Sequence, residues 1–369
     1  MNQIVDVFKI PCGGPADLRA AKALLQSGAL RAQDIVAVMG KTEGNGCVND
    51  FTRELASRAW CDLLAPLLGT TPEAVHARVA LVMSGGTEGV LSPHFTVFAR
   101  RASTTDAPRT DKRLAIGIAF TREFKPEELG RRAQVNATAE AVTQAMRDAG
   151  IDDAGDVHFV QIKCPLLTAQ KIDEALQRGA PPVTHDTYES MGASRGASAL
   201  GVAVALGEID TAQVQDEDIR SDWSLYSSVA STSAGIELDH NVIIVMGMSA
   251  QADSDYLIAH GVMRDAIDVA GVRRCLREDF GIDPDTQSEA LRQRVVNVLA
   301  KAEAAPDGKV RGARHTMLND SDINSTRHAR AAVGAALASV LGDTALYVSG
   351  GAEHQGPAGG GPFALILRA

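Results

Sequence analysis

At 369 residues, with 45% hydrophobic and 22% charged residues, the chain has the balance of a soluble globular protein with a full core, and disorder is not indicated. A formal net charge of -10, with no Lys or Arg run beyond short pairs such as Arg131-Arg132, argues against a nucleic-acid partner. No stretch reaches the roughly 18 apolar residues of a membrane helix, and the N-terminus MNQIVDVFKIPCGG lacks the basic and apolar regions of a secretion signal, so no membrane partner and a cytoplasmic location are expected.

In the first third, the strand-like run DIVAVMG leads to Lys41. Thr52-Arg53 then opens a helix, and the short strand VALVM leads into Ser84-Gly85-Gly86-Thr87-Glu88 before a final strand, FTVFA. A polar break at 101–113 follows. The second third repeats the order: DVHFVQI before Lys163, Ser194-Arg195 with the Ala-rich continuation GASALGVAVALG, the strand SSVAS, then Ser233-Ala234-Gly235-Ile236-Glu237 and NVIIVMG. After a second break at 249–256, the last third runs from the helix-like VVNVLA before Lys301 through Thr326-Arg327 and HARAAVGAALASVLG. It ends with ALYV, Ser349-Gly350-Gly351-Ala352-Glu353 and FALILR. Hydroxyl residues beside each arginine suit a helix N-cap region, and Ala-rich continuations are good helix formers.

One Lys, Arg, Ser order in three parts is what a gene triplication leaves. The reading is three similar α/β units, 1–104, 112–249 and 255–369, set around an axis and converging on one point. The ligand is then small, polar and close to threefold symmetric. A cation at the positive end of a helix is not explained by the dipole, so Arg53, Arg195 and Arg327 are expected to face an electronegative ligand.

The sets suit nucleophilic chemistry. A serine needs a base, and a lysine serves when burial and neighbouring cations lower its pKa; three lysines and three arginines focused on one cleft would do both. Arginines hold carbonyl oxygens through their fork, and backbone N–H groups of the Ser-Gly-Gly turns could stabilise an oxyanion. The bland readings, a solvated lysine and an ordinary turn, fit any single copy but not a threefold recurrence. Glu88, Glu237 and Glu353 are either catalytic or ion-paired with a neighbouring repeat, and they stay outside the catalytic set.

Other motifs fail. Gly40-Lys41-Thr42 resembles the end of a phosphate-binding loop, but Ile35 stands where glycine is needed. Val82, Ser231 and Tyr347 occupy the first glycine position of G-x-S-x-G, which disfavours an α/β-hydrolase. Five cysteines without C-x-x-C spacing and nine scattered histidines give no disulfide frame and no transition-metal site. The Gly-rich tail from Ala352 to Pro362 is either a floppy loop or a carbonyl cage for a hard cation, with Glu303 as its acid.

GKTEGNGCVNDFTRELA, MSGGTEG, ASTSAG and YVSGGAEHQGPAGGG resemble the cyanuric acid hydrolase and barbiturase family, the cyclic amide hydrolases, over essentially the whole chain. The resemblance implies three α/β units forming a central β-barrel with helices outside, a homotetramer, and a cyclic imide substrate. It implies Lys163 as general base and Ser233 as nucleophile, with Lys41 and Lys301 in support. Ring binding would fall to Arg53, Arg195 and Arg327 with Ser84, Gly85, Ser233, Ala234, Ser349 and Gly350. Ile323 would bear on specificity. No cofactor is expected for catalysis; a structural magnesium or calcium ion would lie at Glu303 and the carbonyls of Ala352, Gln355, Gly356, Pro357 and Gly360. The residues themselves also single out the second set, whose motif is Ser-Ala-Gly and whose approach, Ser231-Thr232-Ser233, is crowded with hydroxyls.

The expected activity is opening of cyanuric acid to carboxybiuret, which decarboxylates to biuret. A barbiturase is the nearest rival. A non-enzymatic binding protein does not call for a lysine beside every serine, and a Ser-Ser-Lys amidase would need a Gly/Ser-rich stretch that is missing.

Overall fold

The structure, a computed structural model, describes residues 2–105 and 107–369. The first repeat contains β1 (Gln3–Pro11), α1 (Arg19–Ser27), β2 (Ile35–Thr42), α2 (Phe51–Leu68), α3 (Pro72–Arg78), β3 (Ala80–Gly85) and β4 (His94–Ala102). The second contains β5 (Arg113–Phe120), α4 (Arg132–Ala149), β6 (Val157–Pro165), α5 (Ala169–Gln177), α6 (Thr187–Ala205), β7 (Ala230–Gly235) and β8 (Val242–Ser249). The third contains β9 (Tyr256–Met263), α7 (Val269–Phe280), α8 (Ser288–Arg294), β10 (Val295–Ala302), the small hairpin β11 (Lys309–Val310) and β12 (Ala313–Arg314), α9 (Ser325–Leu341), β13 (Tyr347–Gly350) and β14 (Gly361–Arg368).

Each repeat folds its four long strands into one sheet of the same order: β1-β4-β2-β3, β5-β8-β6-β7 and β9-β14-β10-β13. The last strand of each repeat lies inside its sheet, antiparallel to both neighbours. That explains why FTVFA, NVIIVMG and FALILR are continuous apolar runs and do not alternate: both faces are covered. One face of each sheet packs on its own helices, giving three separate outer cores. The other faces meet in one shared core containing Val7 and Phe98, Ile116 and Phe159, and Ile258 and Tyr347. The expected central barrel thus takes the form of three distinct four-stranded sheets around a common apolar interior, with an isolated bridge from Gln3 of β1 to Ala252 in the link between β8 and β9.

Four local expectations are corrected. VVNVLA is strand β10, paired with β13 and β14, and not a helix; a short apolar run cannot be assigned by periodicity alone, and its valines favour a sheet. Arg53 and Arg327 lie in the first turns of α2 and α9, but Arg195 sits in the middle of α6. The caps are Asp50, Asp186 and Asn324, whose side chains accept from Thr52, Glu189 and Thr326 backbone N–H groups, so the hydroxyl residues beside the arginines do not serve as caps. The Gly-rich tail is not floppy: Ala352, His354 and Gln355 are buried, and Gln355 donates to the carbonyls of Gly351 and Glu353.

Candidate active site

The second and third strands of each sheet are parallel, and their register sets each lysine directly opposite its serine: Lys41 with Ser84, Lys163 with Ser233 and Lys301 with Ser349. All six residues are buried. The serines come from three sheets yet meet at the axis, with Ser349 Oγ 3.4 Å from Ser84 Oγ and 3.0 Å from Ser233 Oγ.

The lysines differ. Lys41 Nζ donates to Ser84 Oγ at 3.2 Å and to the Gly85 carbonyl at 3.4 Å. Lys301 Nζ donates to Ser349 Oγ at 3.2 Å, to the Gly350 carbonyl at 3.0 Å and to the Thr232 carbonyl at 2.8 Å. Lys163 touches no serine hydroxyl; it donates to the Met83 carbonyl at 2.9 Å and pairs with Glu237 at 3.1 Å. Burial lowers the pKa of all three. Arg330 pushes Lys41 down further. Glu237 opposes the drop at Lys163, and Lys301, with Arg195 beside it, is held at about 7. At Lys301 a neutral amine is therefore available near neutral pH as a base.

Arginines link the repeats in a cycle. Arg195 of the second repeat makes a two-bond fork with Glu353 of the third, at 2.8 and 2.6 Å. Arg330 of the third makes the same fork with Glu88 of the first, again at 2.8 and 2.6 Å. Arg53 of the first reaches the Ala234 carbonyl of the second at 3.0 Å, and its buried Nε has no acceptor. The glutamates Glu88 and Glu353 are thus interrepeat ion-pair partners. Gly86 and Gly351, at φ 106° and 77°, lie against these guanidinium groups: a Cβ there would come within 2.5 Å of Arg330 and 2.6 Å of Arg195.

Arg327 lies at the edge of the cluster, 3.3 Å from Glu88 with its side chain 41% exposed, so it is free to turn toward a ligand. Ile323 is also exposed, one turn before it. Sequence reasoning missed Arg330 and Tyr347. Neither recurs in the other repeats, so a search for repetition could not find them. Tyr347 is fully buried in the shared core, and its hydroxyl has no well-aligned partner.

Glu303 is half-buried and accepts from the backbone N–H groups of Ala304 at 2.9 Å and Ala352 at 3.0 Å. Burial and the nearby Glu353 raise its pKa. Among the described residues no cation pairs with it directly, and no cluster of three or more His, Cys, Asp or Glu side chains could hold a metal. A single uncompensated carboxylate beside a tight loop rich in carbonyls fits a hard cation held mainly by backbone oxygen. Gly359 and Gly360 pack so closely on Ala305 and Met263 that neither has room for a side chain.

The model for the family described as "Amidohydrolase ring-opening protein" matches residues 6–368, so the chain belongs to that family of hydrolases. It is 62% identical to the cyanuric acid amidohydrolase of Pseudomonas sp. (strain ADP) over 99% of each chain. It is 57% identical to that of Enterobacter cloacae over 98% of each. A solved structure titled as a cyanuric acid hydrolase arising by structural concatenation superposes over 100% of both chains with a TM-score of 0.96 at 61% identity. The crystal structure of cyanuric acid hydrolase from A. caulinodans matches over 99% of both with a TM-score of 0.90 at 49% identity. No helix among the described residues is long and apolar enough to cross a membrane.

Proposed function

We propose that the chain hydrolyses cyanuric acid by Ser-Lys nucleophilic catalysis. The observation that carries the reading is the meeting of three Lys–Ser pairs at one axis, with serine oxygens 3.0 and 3.4 Å apart, which suits a ring presenting three carbonyls and three N–H groups in alternation. The names of the relatives support the same substrate.

In this reading Lys163 takes the proton of Ser233, whose Oγ attacks one ring carbonyl. The tetrahedral oxyanion collapses with cleavage of the ring C–N bond, and the leaving nitrogen takes the proton from the Lys163 ammonium. Water, deprotonated by the same lysine, then hydrolyses the acyl-enzyme. The product is carboxybiuret, which loses carbon dioxide to give biuret. Arg53, Arg195 and Arg327, with the backbone at Gly85, Ala234 and Gly350, hold the ring.

Glu237 favours this choice of set. It is the one motif glutamate paired with its own lysine, so it can orient the base and stabilise the ammonium formed on proton transfer, as the acid of a triad does. The units 1–104, 112–249 and 255–369 are then copies of one ancestral unit of which only the second kept the chemistry. A cation held by Glu303 and the carbonyls of Ala352, Gln355, Gly356, Pro357 and Gly360 would neutralise that carboxylate and brace the loop after Ser349. The implied homotetramer belongs to the same reading, and light scattering on the purified protein checks it.

Purified protein supplied with cyanuric acid and with barbituric acid in parallel tests the proposal. Biuret and carbon dioxide from the first, lost in Lys163→Ala, are expected. Turnover of barbituric acid alone would make the chain a barbiturase, and binding without turnover would make it a ligand-binding protein.

A further inference from the structure

Tyr347 stands two residues before Ser349 on β13, so both side chains leave the strand on the same face. The equivalent positions in the other repeats hold Val82 and Ser231. Ser231 is occupied with Gln161, to which it donates at 2.8 Å, and Val82 has no polar group. Beneath three near-equivalent serines there is therefore one phenol. It is fully buried, with Lys41 Nζ 5.9 Å from its ring centre. Its hydroxyl reaches the hydroxyls of Ser84 and Ser233 without completing a well-aligned bond to either.

The serines are not equally free to accept it. Ser349 accepts from both Lys301 and Ser84, which fills its two acceptor sites, and Ser84 accepts from Lys41 while its own proton is committed to Ser349. Among the described residues Ser233 Oγ hydrogen-bonds no lysine, and its one hydrogen bond is with Ser349 at 3.0 Å. A serine hydroxyl has one proton and two acceptor sites, so a donor from below fixes where the proton points.

We propose that Tyr347 is a positioning residue for ring opening: its phenol donates to Ser233 Oγ and thereby turns the serine's own proton toward Lys163. The proposal rests on the functional reading above. It gives a physical reason why one of three similar serines becomes the nucleophile. Burial raises the phenol's pKa above its ordinary range, so the group stays protonated and acts only as a donor.

The variant Tyr347→Phe keeps the ring and removes the donor. Loss of a hydrogen bond to a group that gains negative charge predicts a kcat lower by on the order of 10–100-fold with KM changed less than about twofold. Tm should hold or rise, since a buried hydroxyl without a good partner is removed. The fall should persist in a Ser84→Ala background. An unchanged kcat, or an effect of Tyr347→Phe that vanishes once Ser84 is gone, would overturn the assignment. A wild-type protein that opens neither ring would instead overturn the functional reading, and the role of Tyr347 with it.

Discussion

Glu237 lies 3.1 Å from Lys163, whereas among the described residues Glu88 and Glu353 pair with arginines of neighbouring repeats and not with Lys41 or Lys301. The pairing predicts a specific pH response. Glu237 raises the Lys163 pKa against the effect of burial. Replacing it by glutamine lets Lys163 lose its proton at lower pH, so the ascending limb of the rate profile should move toward acid. At the same time the ammonium formed during catalysis loses its partner, and kcat should fall by on the order of 10–100-fold. Measured kcat against pH for the two proteins separates these effects.

The serines can be ranked by substitution. Ser233→Ala should abolish acyl-enzyme formation, with a loss of about 1,000-fold or more. Ser84→Ala and Ser349→Ala should act mainly through ring binding and raise KM. The rival is set three, where Lys301 already touches Ser349 at 3.2 Å and has a pKa near 7. Near-normal turnover in Ser233→Ala, with loss in Ser349→Ala, would transfer the nucleophile to that set, and loss in Ser84→Ala would transfer it to the first.

Arg330 is buried and forks onto Glu88 across the boundary between the third and first repeats. Arg330→Ala leaves the half-buried Glu88 carboxylate with only the partly exposed Arg327 beside it, which costs about 1–3 kcal/mol. Chemical denaturation should register that loss. A double variant, Arg330→Met with Glu88→Leu, should recover much of it, because no charge is then stranded.

His158 of β6 and His260 of β9 face each other with Nδ1 atoms 2.8 Å apart. Burial and the neighbouring ring hold His158 at about 4, and burial lowers His260 as well. Both values lie below the ordinary histidine range, so as pH falls the unfolded chain takes up protons first. The stability from keeping both rings neutral is present above about pH 6.5 and is lost as pH falls toward about 4. Urea midpoints at neutral and mildly acidic pH should therefore differ less in His158→Leu than in the wild type.

If a divalent cation balances Glu303, chelation should lower Tm in the wild-type protein and leave Tm unmoved in Glu303→Gln. Calcium or magnesium added back to the wild type should restore it. An equal Tm with and without chelator in the wild type counts against the cation.

The parts of this site that were legible in the sequence were those that recur. Lys41 and Lys163 announce the second strand of their sheets, and the serine motifs announce the third strand of all three, because each sits at the end of an apolar run. The register that joins them follows once the strands are parallel. The arginine partners were not legible. Which glutamate meets which arginine depends on the direction in which the repeats follow one another around the axis, and no local pattern carries that. Arg330 was invisible for a further reason: it lies one turn beyond Arg327, where the other repeats have Ala56 and Ser198. The run VVNVLA of β10 is ambiguous because five apolar residues around one asparagine fit a buried helix as well as a buried strand.

The lone phenol at the axis has a consequence for why these repeats are joined. In an assembly of three identical chains, any residue beside the axis appears three times, and three phenols would have to share the space that one now fills. Covalent linkage lets valine, serine and tyrosine occupy that ring of positions one each. The fused gene can therefore retain a symmetric grip on a symmetric molecule while making its interior lopsided, a combination that separate identical chains cannot encode.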